Sequence, residues 1–240
     1  MSSDSSKSTV EQLREDDFFS LFTPEQFERF RKNAFRRSYQ RGQVLFTEGD
    51  PFDRVYYMID GFVRLERTDA NGTNSFYCYA RNKTFFPYIN MFRREVFRYT
   101  ATAVTDIDIL YISTSILEEL FKENKAILTR IIKNLEELVL IREERLQYML
   151  QQNARMRVVA TISYLQKELG EAEDGISVIR CPISVRDIAE LSGTSRETAS
   201  AVLSKLRSRD IIEVRDRRHF QINNPQYFDQ LPEINQIFFC

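Results

Sequence analysis

The sequence predicts an α+β chain: a β-rich first half closing on itself as a sandwich or barrel, a long helix, then a winged helix-turn-helix. Three observations carry this. Between Tyr39 and about Ile112, short runs of Val, Ile, Tyr, Phe and Thr alternate with Gly, Asn, Asp and Pro, the texture of many short strands. Leu128, Ile131, Leu135 and Leu138 recur at the a and d spacing of a pairing helix. The stretch "ISVRDIAELSGTSRETASAVLSKLRSRDII", Ile183 to Ile212, reads as two short helices around a glycine-containing turn.

Residues 1–16 are polar and Ser-rich and are expected to form a flexible tail, because they lack the apolar side chains that would offset the entropy of ordering them. A β domain over 17–114 follows. It opens with an amphipathic helix in "TPEQFERFRKNAFRRSYQ", with Thr23 as N-cap, Pro24 at the first helical position, and Phe27, Phe30 and Ala34 on one face. "QVLFTEG", "RVYYMIDGFVRLERT", "TNSFYCYA" and "RYTATAVTDIDILYIS" are the strand candidates, and "DANGT" at Asp69 to Thr73 carries an Asn-Gly hairpin signal.

From 115 to 152 the pattern is helical. Leu128, Ile131, Leu135, Leu138 and Arg142 form a narrow seam that suits another helix better than a sheet, so they are the expected dimer interface. Packing on the chain's own β domain is the alternative. Residues 153–240 form the last domain. Asn153 caps the helix "ARMRVVATISYLQKEL", Gly170 ends it, "EAEDG" is expected to be a polar loop, and "ISVIRCPIS" is a short β segment.

Ser184 and Asp187 have capping-box spacing, which starts the first short helix at Val185; Gly193 supplies the turn. On the second helix Ala199, Val202 and Leu206 share the inward face, leaving Arg196, Glu197, Ser200, Ala201 and Ser204 outward. Residues at the start of such a helix reach base edges in the DNA major groove. Arg196 has the donors for guanine O6 and N7, Glu197 accepts from cytosine N4, and Ser200 suits a base or a phosphate. Two other readings stay open: Thr194 as N-cap would put Glu197 in a capping box, and Arg196 would serve equally as a phosphate contact. Ala201 offers a thymine methyl contact at most.

"DIIEVRDRRHFQINN" reads as a hairpin wing with a charged tip. From Thr194 to His219 there are seven Lys or Arg (Arg196, Lys205, Arg207, Arg209, Arg215, Arg217, Arg218) against four acids (Glu197, Asp210, Glu213, Asp216). Ser195, Thr198, Ser204, Lys205, Arg215, Arg217 and Arg218 are the candidate contacts to the DNA backbone. His219 is read as a wing side chain and not as a proton switch.

Composition narrows the rest. With 34 basic and 35 acidic residues the net charge is −1, so a nucleic-acid surface has to be a local patch. Three scattered cysteines, Cys78, Cys181 and Cys240, and a single histidine exclude a Cys-rich or multi-His metal site. With no nucleophile-base pairing and no phosphate-cradling Gly loop, the chain is not expected to be an enzyme. No stretch approaches the ~20 apolar residues of a membrane span, which points to the cytoplasm.

The β-rich half with "RGQVLFTEGDPFDRVYYMIDGFVRL", the long helix, and "SVRDIAELSGTSRETASAVLSKLRSRDII" with its wing together resemble the Crp/Fnr family of bacterial transcription regulators, over roughly Phe18 to Asn224. Within it the chain looks closest to the PrfA-like and streptococcal virulence regulators. The resemblance implies a cyclic-nucleotide-binding-type β-roll, with Gly42, Gly49 and Gly61 at turns and Asp50 as the neighbouring acid. It implies a homodimer through the long helix, and Arg196, Glu197 and Ser200 at base- or backbone-contacting positions. The implied partners are a palindromic promoter duplex, with half-sites ~34 Å apart, and RNA polymerase.

Three departures matter. Where members that bind cyclic nucleotides carry a Gly-Glu pair and an Arg-Ser/Thr-Ala cassette, this chain has "KTFFPYINMFRREVFRYTATA", so cyclic AMP is not expected. The cysteine cluster of oxygen-sensing members and any haem-ligating histidine in the first domain are absent, and no cofactor is expected. Ala201 stands where members often carry Arg. Phe76, Tyr77, Phe86, Tyr88, Arg98 and Tyr99 fall in an aromatic-dense part of the roll that either lines an effector pocket or is ordinary core. The PrfA-like likeness makes glutathione a candidate effector. The competing functional reading is a small-molecule sensor with vestigial DNA binding.

Overall fold

A computed structural model of the protein describes residues 13–68, 74–87, 91–92, 96–214 and 219–228, with the side chains at 68 and 74–77 outside that description. The chain divides into two compact units, Met1–Glu136 and Glu137–Cys240.

In the first unit the described residues begin inside the expected tail. Leu13–Glu15 is a 3-10 turn with Leu13 buried, while residues 1–12 of that expectation lie outside the described residues. Helix α1, Pro24–Asn33, starts as its sequence dictates: the Thr23 hydroxyl accepts from the Gln26 amide at 3.2 Å and the Gln26 side chain accepts from the Thr23 amide at 3.2 Å. Phe27 and Phe30 are buried on its inner face, and Phe19 packs 4.9 Å from Phe30 and 4.9 Å from Tyr57.

Eight strands follow: β1 Phe35–Tyr39, β2 Val44–Phe46, β3 Arg54–Asp60, β4 Val63–Thr68, β5 Asn74–Ala80, β6 Phe85–Phe86, β7 Thr100–Ala103 and β8 Ile107–Ser113. They form two antiparallel four-stranded sheets, ordered β1-β8-β3-β6 and β2-β7-β4-β5. The expected hairpin tip at Asp69 to Thr73 lies outside the described residues, although β4 and β5 pair on either side of it. Strand β1 corrects the expectation of helix beyond Asn33. Pairing with β8 overrides local propensity there: Phe35 stacks on Tyr111 at 5.6 Å, and the Arg36 guanidinium bonds the Asp108 carboxylate at 2.8 Å. Gly42, Gly49 and Gly61 all adopt positive φ. Gly61 is also sterically required, since a Cβ there would meet the Asp106 carbonyl oxygen at 2.6 Å.

The helical stretch expected as one element over 115–152 is two helices, α2 Thr114–Lys122 and α3 Lys125–Met149. Asn124 makes the break: its Oδ1 accepts from the amides of Ala126 (3.0 Å) and Ile127 (3.2 Å), restarting the helix, while its Nδ2 donates to the Leu21 carbonyl at 2.9 Å. The first turns of α3 then lie on the chain's own roll. Ile131, expected in the pairing seam, is only 5% exposed in the core of its unit, and Leu128 packs against that core. The exposed apolar series is offset from the expected register: Ile132 (64%), Leu135 (40%), Val139 (54%) and Leu146 (67%), with Leu138 and Arg142 half-buried.

In the second unit, Asn153 caps α4, Ala154–Leu169, by accepting from the Arg155 amide at 3.0 Å. "EAEDG" is not a loop. It supplies β9, Gly170–Glu173, which turns through Asp174 (φ 47°) and Gly175 (φ 85°) into β10, Ile176–Ile179. Two consecutive positive φ values at Asp-Gly are the geometry of a tight hairpin turn. Helices α5, Val185–Ser192, and α6, Arg196–Ser208, precede β11, Ile212–Val214, and β12, Phe220–Ile222, giving the sheet order β11-β12-β10-β9.

Gly170 has an ordinary φ but no room: a Cβ would lie 2.4 Å from the Gln166 carbonyl oxygen and 2.4 Å from Ser177 Oγ. Gly170→Ala is therefore expected to destabilise the protein by roughly 1–3 kcal/mol. A thermal melt checks this, and an unchanged midpoint would show that the end of α4 relaxes freely.

Candidate nucleic-acid interface

The Ser184 hydroxyl accepts from the Asp187 amide at 3.2 Å and Asp187 Oδ2 accepts from the Ser184 amide at 2.7 Å, so α5 begins at Val185 with its capping box closed. It ends at Gly193, in the left-handed conformation (φ 57°, ψ 43°) that lets the chain reverse into α6. Ile188, Ala189 and Leu191 of α5 and Ala199, Val202, Leu203 and Leu206 of α6 are buried. This packing fixes which face of α6 stays outward.

That face carries Arg196, Glu197, Ser200, Ala201 and Ser204, all exposed. The N-cap of α6 is Ser195, whose Oγ accepts from the Thr198 amide at 3.2 Å, so Thr194 does not cap the helix and Glu197 does not close a box. The Glu197 carboxyl is held below its ordinary range, first by its own backbone amide and then by the Ser195 hydroxyl. It is an ionised acceptor at neutral pH. Ser195 and Thr198, both expected at phosphates, also share a hydroxyl-hydroxyl contact of 3.2 Å; Thr198 and Lys205 are half-buried.

The hairpin expected as a wing is present. Ile212 pairs with Ile222, Glu213 with Gln221 and Val214 with Phe220. Asn223 anchors its base beside the end of α6, donating through its backbone amide to the Ile211 carbonyl (2.9 Å) and through Nδ2 to Asp210 (2.9 Å). Arg215, Arg217 and Arg218, expected at its tip, lie outside the described residues.

One basic residue escaped sequence reasoning. Arg157, on the first turns of α4, donates through Nε to the Ser192 carbonyl (3.0 Å) and through Nη2 to the Gly193 carbonyl (3.1 Å), binding the turn itself. The only signal in the sequence is an Arg between the apolar residues Met156 and Val158, which by pattern alone reads as a solvated position.

Of the six residues named for an effector pocket, three have described side chains. Phe86 and Tyr99 are buried in the core of the roll, and Arg98 is exposed. Tyr88 and the side chains of Phe76 and Tyr77 lie outside the described residues. The interior between the sheets holds an aromatic stack: Phe97 lies 3.8 Å from Phe46 and 5.0 Å from Phe52, Tyr56 is 5.5 Å from Phe46, and Phe86 is 5.4 Å from Tyr56. Cys78 and Cys181 are buried, and Cys240 lies outside the described residues. No group of three or more metal-ligating side chains forms among the described residues, and no helix there is long and apolar enough to cross a membrane.

Residues 36–124 match the family model of the cyclic nucleotide-binding domain, and residues 156–231 match that of the Crp-like helix-turn-helix domain. The chain belongs to the Crp/Fnr family of transcription regulators. A Crp/Fnr protein with this second domain is a DNA-binding regulator of transcription, and the family is one of regulators rather than enzymes. The HTH-type transcriptional regulator ArcR of Staphylococcus epidermidis is 27% identical over 76% of this chain and 80% of its own length. A CRP/FNR-family transcriptional regulator from Thermus thermophilus is 25% identical, with a TM-score of 0.58 over 83% of this chain and 98% of that one. FixK2 from Bradyrhizobium japonicum shares the fold, with a TM-score of 0.69 at 22% identity, over 82% of this chain and 96% of that one.

Proposed function

We propose that this Crp/Fnr regulator binds a palindromic promoter duplex as a homodimer. Arg196, Glu197 and Ser200 read bases; Ser204, Lys205 and the wing arginines Arg215, Arg217 and Arg218 hold phosphates, with Ser195 and Thr198 at the helix start beside them. The observation that carries this is the outward face of α6, where a guanidinium, an ionised carboxylate and a hydroxyl occupy the first turns of a helix whose other face is fully buried. RNA polymerase and a cytoplasmic location follow from the same reading. Selection of duplexes from a random pool tests it. A palindromic consensus should emerge, and affinity should fall steeply with salt as counterions are released. Equal affinity for selected and random duplex would leave only nonspecific binding.

The dimer reading rests on the exposed apolar series Ile132, Leu135, Val139 and Leu146, which repeats at intervals of three, four and seven residues, the spacing of a coiled-coil seam. Leu128, Leu138 and Arg142 flank it. Ile132→Glu is expected to give monomers that lose only the stabilisation dimerisation supplies, whereas Ile131→Glu, one residue away, should further destabilise the roll by more than ~3 kcal/mol through a buried unpaired charge. Light scattering and thermal melts separate the two effects. Identical behaviour of the two variants would remove the seam from the interface.

The same reading gives the roll an effector other than cyclic AMP, or no small effector. Support comes from the aromatic stack between the sheets and from Thr100, whose Oγ1 is already engaged by the Glu48 amide at 3.1 Å. The residues at these positions depart from the phosphate cassette: between an exposed Arg98 and Thr100 stands Tyr99, a large ring buried in the core.

A further inference from the structure

We infer that Arg157 is a positioning residue for base reading, a clamp through which the end of the long helix aims α6. The inference rests on the proposed reading of DNA by α6 and adds the means by which that helix is held. Two adjacent carbonyls, Ser192 and Gly193, close the C-terminal end of α5. Such carbonyls lack intrahelical partners and carry the negative end of the helix dipole. Arg157 meets both, Nε to Ser192 at 3.0 Å and Nη2 to Gly193 at 3.1 Å. The third nitrogen reaches elsewhere: Nη1 donates to the Gln151 carbonyl at 2.9 Å and to that of Gln152 at 3.4 Å, both in the connector between α3 and α4.

One planar cation thus joins the connector after the long helix to the turn before α6. Met149, the last residue of α3, lies beside the same turn, its Cε 3.4 Å from where a Cβ on Gly193 would be. The turn has little slack in which to lose a displacement. The Ser192 hydroxyl donates to the Ile188 carbonyl at 2.7 Å and lies 2.8 Å from the Thr194 hydroxyl, and the Thr194 amide donates to the Ala189 carbonyl at 2.9 Å. Ser195 then caps α6 and Arg196 follows at its first position. A shift of the connector is handed, through a guanidinium and a stiff turn, to the side chains that face DNA. Lysine cannot replace the clamp, because its ammonium lacks the fixed fork that meets two neighbouring carbonyls and a third group at once.

The experiment compares full-length wild type, R157M and R157K by fluorescence anisotropy at one salt concentration. The probes are a duplex selected by the wild type from a random pool and a scrambled duplex of the same length and composition. R157M is expected to lose at least ~10-fold affinity for the selected duplex, the size of a lost charge-assisted hydrogen bond, and less than ~3-fold for the scrambled one. R157K should fall between R157M and wild type in selectivity. A purely structural role would instead lower both affinities together, in step with the melting temperature, and that result overturns the inference. So does wild-type selectivity in R157K, which keeps the charge without the fork and guards against R157M failing to fold. Should the wild type select no duplex at all, the DNA-reading proposal falls and takes the inference with it; selection by the wild type with unchanged variants sinks the inference alone.

Discussion

Replacing Arg196 with alanine is expected to remove most of the regulator's preference for its selected duplex while weakening its binding to random duplex only a few-fold. Arg196 is the first residue of α6 and is exposed, so on the proposed reading its guanidinium meets a base edge before any other side chain of the helix. A bidentate pair with guanine discriminates by about 1–3 kcal/mol, and a dimer makes it twice, so the combined loss is about 2–6 kcal/mol, or roughly 30-fold to 10⁴-fold. On the same reading nonspecific binding depends on phosphate contacts spread over α6 and the wing, and one lost charge of several should cost little there. Competition binding with selected and random duplex reads the two terms separately. Equal losses on both would make Arg196 a phosphate contact and pass base reading to Glu197 and Ser200. Ala201 sharpens the test, because with no donor or acceptor it cannot compensate, and a thymine methyl is the most it can recognise.

The DNA-facing half was legible because its signals are local. Ser184 with Asp187 fixes the start of α5, Gly193 fixes the turn, and the inward spacing of Ala199, Val202 and Leu206 leaves one outward face for α6. Each is settled within a few residues, without reference to the rest of the chain. The cap of α6 shows the limit of such local reasoning. Thr194 and Ser195 are equally good caps by type, and the choice fell to the geometry of the preceding turn, in which the Thr194 amide is already committed to Ala189. Arg157 lies further beyond reach, since its partners Ser192 and Gly193 are 35 and 36 residues away in sequence and are backbone carbonyls, which carry no side-chain signature.

The register of the long helix was illegible for a related reason. Leu128, Ile131 and Leu135 have perfect pairing spacing, yet so does the series through Ile132, Leu135, Val139 and Leu146, and periodicity alone cannot rank two seams that share Leu135. The roll decides by burying Ile127 and Ile131 against its own core, which rotates the competing series outward. Strand β1 is hidden in the same way, because "FRRSY" follows a strong helical pattern and becomes a strand only by pairing with β8, about seventy residues on. Elements defined by a distant partner escape the local pattern, and elements defined by their own caps and turns do not.

Phe97→Ala tests what the first domain has done with the space between its sheets. The ring is buried, stacked at 3.8 Å on Phe46 with 15° between planes, and met edge-on by Phe52. Its backbone is held on both sides: the Phe97 amide donates to the Asp50 carbonyl at 2.8 Å and the Gly49 amide donates to the Phe97 carbonyl at 2.9 Å. Anchored in this way, the segment cannot follow the shrinking side chain inward, so truncation should leave a cavity and cost about 3–5 kcal/mol. At roughly 2–4 °C per kcal/mol for a chain of this size, the melting midpoint should drop by about 6–20 °C. An apolar cavity of this kind stays dry, and a small aromatic solute such as benzene should bind it and restore part of the loss. Below its midpoint the variant should still select the wild-type duplex, because Arg196, Glu197 and Ser200 are untouched. A loss under about 1 kcal/mol, with no effect of benzene, would mean that the segment collapses onto Phe46 and that the roll's interior is adaptable. In that case the aromatic stack is a removable filling, and the roll can make room for an effector that its present packing excludes.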